Sequence, residues 1–346
     1  MINIPTVAEV NRDYRYQIAS INKTVNDYKK SKEDYQKSLE KSGQIAQDQI
    51  KQALILSDEP NAVMEYHGLG DTGRYVIEER DAGFTNGKSE HIDSKQYLQL
   101  GSLGEAPNLN GEFLEVNYTN LKNSYYGDKK ISKIKVVFSD GVGFANGLDE
   151  GYKFLNLIND KNSKFYLGLH NNPALGLWYT NSVTAQTTLY DENGNEIAFN
   201  TEFPNAFINI GSLNSSNNDS ESATLQTAVK ALSLYGSWTS AAKNADGETI
   251  YSKANIDDEY AKITGKDTDK GWDVPYSEYG AYFGSSVFEL LSNNYKIKYG
   301  VYEYADNKIN TLNPEFGGFI WAINSTTIPT TPTPKKSQVS YHFNSS

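Results

Sequence analysis

The sequence predicts a mainly β protein: a large antiparallel β-sandwich with helical decorations, preceded by a helix at the N-terminus. Three observations predict it. Short apolar alternations punctuated by Gly, Asn and Asp recur from Ser57 onward, the pattern of half-buried strands joined by turns. Usage of 25 Tyr, 14 Phe and 27 Gly against 2 Met favours pleated, aromatic-rich sheets over helix bundles. The first 56 residues follow a different rule, with apolar positions spaced by four and three, and that rule belongs to a helix.

The helical seam runs through Tyr14, Ile18, Ile21, Val25, Tyr28, Lys32, Tyr35, Leu39, Ser42, Ala46, Gln49 and Ala53. Between these positions lie charged runs such as Lys29 to Asp34, which face water. Three seam positions are Tyr and one is Lys, so a strong parallel dimer is not encoded. Residues 1–56 read as a helical stalk segment that packs along one side. A plain amphipathic helix covering the base of the β domain is the equal alternative. Gly43 is its weak point.

Residues 57–329 read as one sandwich domain. Its strand patterns are Arg74–Glu78, Phe113–Tyr118, Ile131–Phe138, Lys164–Leu169, Thr184–Tyr190, Ala206–Ile210, Tyr282–Leu290, Ile297–Tyr304 and Phe316–Ile323. Many short strands without regular helices between them point to a sandwich. Two inserts decorate it. Asn214–Ala231 opens polar and then turns helix-like through Ala223, Leu225 and Ala228, and Asp246–Asp273 is charged and turn-rich. Loops of that length are commonly functional. Residues 330–346 read as a connector, entered by the Pro-rich run Ile328 to Pro334, and the start of a following segment.

Gly176 to Phe199 is the most informative stretch. Thr184, Gln186, Thr188 and Tyr190 alternate with Ala185, Thr187 and Leu189. A turn with Asn193-Gly194 follows, and Ile197-Ala198-Phe199 starts a return strand. The expectation is one hairpin with the aromatic pair Trp178-Tyr179 at its start. The wording resembles the variable domain of streptococcal antigen I/II surface adhesins and the related glucan-binding protein C. Further landmarks follow in family order: Tyr118 to Ser124 with Lys130 to Ile134, Tyr279 to Gly284, and Gly317 to Ser325. The resemblance spans roughly Glu59 to Pro329. It implies a lectin-like β-sandwich adhesin without catalytic activity, displayed on a bacterial cell surface and wall-anchored in the full-length protein, the anchor lying outside this fragment. The stalk helix of that family is alanine-rich, whereas this one carries tyrosines.

Composition narrows the chemistry. Without cysteine there are no disulfides, thiolate metal sites or thiol nucleophiles. That suits a Gram-positive surface protein and equally a cytosolic one. A formal charge of −11 disfavours general polyanion binding, which needs clustered basic residues, but leaves room for a local basic groove. No window approaches the ~18 apolar residues of a membrane span, so no membrane insertion is expected. Catalytic signatures (GxSxG, HExxH, GxxxxGK[ST]) do not occur, and His67, His91, His170 and His342 are scattered singly.

Carbohydrate binding needs aromatic faces for sugar rings, with amides and carboxylates for their hydroxyls. Three places combine them: Asn171 and Asn172 with Trp178 and Tyr179; Trp238 after Tyr235; and Trp272, Asp273 and Tyr276. Trp178 reads equally as core or site. Trp272, between Gly271 and Asp273 and close to Pro275, is expected to be exposed, and Trp321, in an apolar strand, to be core. Oxygen ligands for a calcium ion, which the family resemblance also implies near the cleft, are densest at Ser212 and Asn214, with Glu202 before and Asp219 and Glu221 after. The leading reading is an adhesin that binds a host glycoprotein or a glycan such as glucan. A polymer-binding adhesin for lipoteichoic acid and extracellular DNA is the first alternative, and a structural spacer of a fibrillar wall protein is the second.

Overall fold

The computed structural model describes residues 14–27, 29–30, 53–81, 96–104, 108–145, 163–200, 205–232, 236–265, 272–273, 283–315 and 318–324. Within these, the side chains of 80–81, 96–97, 178–179 and 318–324 are outside the description. The chain divides into Met1–Ala46 and Gln47–Ser346. In the first unit, residues 14–27 and 29–30 are helical (α1), as the seam spacing requires. Tyr14, Ile18, Ile21 and Val25 are exposed along it. The seam at Tyr28 and from Lys32 to Gln49 lies outside the described residues, as does the Pro-rich connector.

The second unit contains β1 (Leu54–Ile55), β2 (Val63–Gly68), β3 (Tyr75–Asp81), β4 (Gln96–Ser102), β5 (Leu109–Thr119), β6 (Tyr125–Tyr126), β7 (Lys129–Val142), β8 (Tyr166–His170) and β9 (Leu177–Thr180). It continues with β10 (Ser182–Asp191), β11 (Phe207–Gly211), β12 (Asp219–Thr227), β13 (Val229–Leu232), β14 (Thr239–Asn244) and β15 (Gly247–Ser252). Helix α2 (Ile256–Thr264) comes next, then β16 (Ser286–Leu290), β17 (Asn294–Ala305), β18 (Lys308–Leu312) and β19 (Gly318–Asn324). An 11-stranded sheet runs β1-β6-β7-β10-β17-β12-β15-β14, with β5 on β7, β2 on β5 and β18 on β17. An 8-stranded sheet runs β13-β16-β11-β19-β9-β8-β4-β3. One apolar core, from Leu54 to Tyr299, takes inward residues from both sheets, which is the sandwich that the alternating strands require.

Four expectations are corrected. Residues 54–56 belong to the sandwich rather than to the stalk: Leu54 and Leu56 are buried while Ile55 is 43% exposed, a period of two that a strand satisfies and a helix does not. The helix-like stretch from Ala223 is β12 and β13. Ser220, Ser222 and Thr224 alternate there with Glu221, Ala223 and Leu225, and β12 pairs with both β15 and β17. At Ala228, φ +56° turns the chain from the large sheet into the small one, where β13 pairs with β16. The span 246–273 is likewise not a plain loop, since it contains β15 and α2.

The stretch 176–199 is not one hairpin. β9 pairs with β8 and β19 in the small sheet, whereas β10 pairs with β7 and β17 in the large one. The crossing is made at buried Asn181, whose carbonyl accepts from Val301 N at 3.0 Å. The turn after β10 does form. Asp191 Oδ1 accepts from Asn193 N and Asn195 N, both at 2.9 Å, and Gly194 has φ +78°. The return segment makes only a bridge, Tyr190 with Glu196, because β7 and β17 already occupy both edges of β10.

His170 ends β8 and is 8% exposed, and burial pulls its imidazole down to about 4. The native state therefore holds it neutral while the unfolded chain protonates near the ordinary 6.5. Stability from this group is complete above that value and is lost as pH falls toward 4. Fully expressed, the loss is about 3 kcal/mol. Urea midpoints at pH 7 and pH 4.5 should separate more in the wild type than in His170→Gln, and equal separations would remove His170 as the cause.

Candidate ligand-binding site

β11 stops at Ser212, a non-glycine residue with φ +56° that bends the chain out of the strand direction. Such conformations persist where the surroundings impose them. Here Leu213 N donates to Gly284 O at 2.9 Å, and Glu221 N donates to Asn214 O at 2.9 Å. The loop is thus fastened at both sides. Ser216 tightens its tip, with Oγ donating to Asp219 Oδ2 at 2.8 Å.

The outcome is a cluster of polar groups. Ser212 Oγ donates to Asp273 Oδ1 at 2.7 Å. Asn214 N donates to Glu221 Oε2 at 2.8 Å. The Asn214 amide lies between, with Nδ2 at 3.3 Å from Ser212 Oγ and 3.4 Å from Glu221 Oε2. One hydroxyl, one amide and two carboxylates therefore meet, the last from a segment 61 residues beyond Ser212. Ser212 and Glu221 are buried, at 3% and 7% exposed, and hold in place the part-buried Asn214 and Asp273, whose amide and carboxylate can pair with a sugar hydroxyl.

Asp273 is positioned by the residue before it. Trp272 is fully buried (0% exposed) against Ile256, Tyr260 and Phe283, and its Nε1 donates to Asp257 Oδ1 at 3.1 Å. The indole lies on Gly284, where a Cβ would come within 2.2 Å of Cζ3. Position 284 therefore has no room for a side chain while the ring is seated. α2 carries three of these contacts. It ends at Gly265, φ +67°, whose N donates to Ala261 O, a left-handed cap. Its start is tied to the same loop that follows Ser212, because Asn255 N donates to Ser216 O at 3.2 Å and Ile256 N to Ser215 Oγ at 3.3 Å.

Trp272 is thus a plug rather than an exposed stacking surface, which corrects the expectation drawn from its Gly, Asp and Pro neighbours. Asn171 and Asn172 are corrected too. They are 4% and 0% exposed and serve the scaffold: Asn171 Nδ2 donates to Ala62 O at 2.9 Å, Asn172 Oδ1 accepts from Glu59 N at 3.0 Å, and Asn172 Nδ2 donates to Asp58 Oδ1. Trp178 and Tyr179 lie in β9, Trp178 opposite Gly168 and Phe319, but their side chains, like that of Trp321, are outside the description. Tyr276 and Glu202 lie outside the described residues altogether.

Sequence reading treated Asp273 and the Ser212 loop as separate sites, and the fold joins them. Asp257, in the first turn of α2, was missed, since an acidic residue there reads as an ordinary helix start. Trp238 is half-buried, stacked on Phe283 at 6.0 Å and covered by Lys253 Nζ at 3.8 Å from the ring centroid. Among the described residues no three His, Cys, Asp or Glu side chains gather around one point, and no helix is long and apolar enough to cross a membrane.

Comparison with known proteins places this architecture. The profile of a family described as glucan-binding protein C matches residues 36–323. Among solved structures, the glucan-binding protein C of Streptococcus mutans is 20% identical, covering 95% of this chain and 99% of that one with a TM-score of 0.53. The adhesin domain of PrgB from Enterococcus faecalis is 16% identical, covering 79% and 89% with a TM-score of 0.50. The same domain solved bound to DNA is 21% identical, covering 66% and 71% with a TM-score of 0.46. At these identities the first two show a common fold.

Proposed function

The chain belongs to the glucan-binding protein C family, and from that premise we propose that it is a bacterial surface adhesin domain that binds a carbohydrate, of glucan type, at the Ser212–Asn214–Glu221–Asp273 cluster. The observation that carries the reading is the convergence of these groups through contacts of 2.7 and 2.8 Å from separate chain segments. A spacer would need no such arrangement. The family points to adhesion rather than turnover, and a hydroxyl, an amide and two carboxylates suit multiple weak contacts to sugar hydroxyls. A host glycoprotein presenting such a glycan would engage the same groups, and attachment to the cell wall would place them outside the cell.

We extend the proposal to calcium. In the structure the donor hydrogens of Ser212 and Asn214 sit between the carboxylates of Asp273 and Glu221, where a cation would serve the same purpose. Turning the amide leaves hydroxyl, amide and carboxylate oxygens, the donor types Ca²⁺ prefers. Ser212, Asn214, Glu221 and Asp273 would hold the ion, which would supply coordination to a sugar diol.

Titrating soluble dextran into the whole chain by calorimetry tests both parts. Asp273→Asn and Ser212→Ala should each weaken binding roughly 10- to 100-fold, as lost charge-assisted hydrogen bonds do. Chelation should weaken wild-type binding and leave Asp273→Asn little changed. Dextran affinity unaltered in both variants would remove the cluster as the site.

A further inference from the structure

We propose that the free edge of β14 is a pairing surface for a second copy of this chain. β14 ends the large sheet, and among the described residues β15 is its only strand partner. The hairpin register fixes which backbone groups are left over. Asn244 stands opposite Gly247, Ala242 opposite Thr249 and Ser240 opposite Tyr251. Two residues further on, Lys253 N donates to Trp238 O at 2.9 Å. The even positions of β14 are therefore the hydrogen-bonded ones, and the N–H and C=O of Thr239, Ala241 and Lys243 point away from β15. Thr239 N is taken by Ser237 Oγ at 3.2 Å. Among the described residues nothing takes those of Ala241 and Lys243, and both residues are exposed.

Other edges of the two sheets are guarded. β3 carries Glu78, Glu79, Arg80 and Asp81, and β2 is tied to it where the Tyr66 hydroxyl donates to the Glu79 carboxylate. β13 has four residues and β1 two, and β18 begins with Lys308. β14 is six residues in unbroken register, without proline or bulge, the template that edges normally suppress. Its one charge, Lys243, stands opposite Glu248 across the hairpin, a favourable pairing that weakens its guard.

The register also selects the occupant. A strand that extends the sheet in antiparallel fashion must match faces, so odd positions pair with odd and even with even. A second β14 centred on Ala241 meets that condition. Ala241 of each copy donates to and accepts from Ala241 of the other, and Lys243 N of each reaches Thr239 O of its partner. Ser240 lands beside Ala242, so no bulky or like-charged pair meets, and the two lysines stand ~13–14 Å apart along the strands. Such isologous pairing closes on itself and gives a dimer rather than a fibre. The contact is far smaller than a standard interface, so the dimer is weak and concentration-dependent.

Dimerisation would set two Ser212 clusters on one particle, and this part rests on the carbohydrate reading. β14 follows Trp238, whose N donates to Phe283 O at 2.7 Å, beside the Gly284 carbonyl that holds Leu213. A polymer of repeated sugar units then gains by avidity, whereas a short oligosaccharide does not.

Sedimentation equilibrium of the whole chain tests the edge, over about 10 μM to 1 mM as a small interface requires. The wild type should pass from monomer to dimer, with amide exchange at Ala241 and Lys243 slowing as it does. Ala241→Pro removes a donor that β15 does not use, which an edge strand tolerates. Ala241→Lys sets two like charges opposite each other on the two-fold axis, at ~5.5 Å between Cα atoms. Each should weaken self-association at least tenfold with an unchanged circular dichroism spectrum, and the lysine variant repeats the test where the proline variant fails to fold. Under dimer-forming conditions dextran affinity should fall several-fold in the same variants, with isomaltotriose affinity unchanged. A monomer throughout the range would overturn the surface, and a dimer untouched by both substitutions would overturn β14 as its edge. Dimerisation lost in both variants, with no dextran bound by the wild type, would uphold the edge and remove the carbohydrate reading.

Discussion

Trp272→Ala should cost about 3–5 kcal/mol of stability, the usual price of deleting a fully buried large aromatic side chain, and should lower the melting temperature sharply. The ring is 0% exposed, contacts Ile256, Tyr260 and Phe283 and fills the space above Gly284. Its loss leaves Asp257 without the indole N–H and leaves α2 resting on a cavity. Dextran affinity at the proposed site should fall as well, because Asp273 follows Trp272 directly and Leu213 hangs from the Gly284 carbonyl. Trp272→Phe separates the two roles. It keeps much of the packing and loses the hydrogen bond, so it should recover most of the stability. A melting curve unchanged in Trp272→Ala, with binding abolished, would mean that the indole stacks on ligand rather than filling the core.

Glu59→Ala should be nearly as damaging, at about 3 kcal/mol or more. Glu59 is 2% exposed, and its carboxylate accepts from Lys122 N at 2.7 Å, Asn123 N at 2.6 Å and Ser124 Oγ at 2.9 Å. Hydrogen bonds to a charged group are worth about 1.5–3 kcal/mol each, and buried donors left without an acceptor add their own desolvation cost. The same residue donates its N–H to Asn172, so it joins the chain entry, the turn between β5 and β6 and the segment after β8. Glu59→Gln keeps the shape with one acceptor oxygen and should recover part of the loss. Asn172→Ala should act in the same direction, with dextran affinity per folded molecule unchanged. If that affinity fell while the melting temperature held, Asn172 would be a ligand contact and not part of the clamp.

Local rules made the strands legible. The second half of β5, the middle of β7 and the first half of β17 alternate between buried and less buried residues, because one face of each packs on a single core and the other is less covered. The family resemblance was carried partly by β5, β7 and β10 and partly by Gly176 to Thr180, Tyr279 to Gly284 and Gly317 to Ser325. Where a residue's role depends on what covers it, the sequence was silent or misleading. Trp272 sits among polar and turn-forming neighbours, and those neighbours look alike whether the indole points to solvent or under a helix. Asn171-Asn172-Pro173 has the composition of a binding loop, yet its amides are consumed by a segment more than a hundred residues earlier.

The sequence by itself determined that the protein is mainly β, where β3, β5, β7, β8, β10, β11, β16, β17 and β19 lie, and which family the chain resembles, since these rest on period, turn residues and order along the chain. Tertiary structure alone decided that β9 and β10 lie in different sheets, that β12 and β13 are strands and not helix, and that Ser212, Asn214, Glu221 and Asp273 meet. The physical reason is common to all of these. Hydrophobic period is a property of neighbours in sequence, whereas sheet membership and side-chain convergence depend on long-range pairing that brings distant segments together and leaves no mark in either one alone.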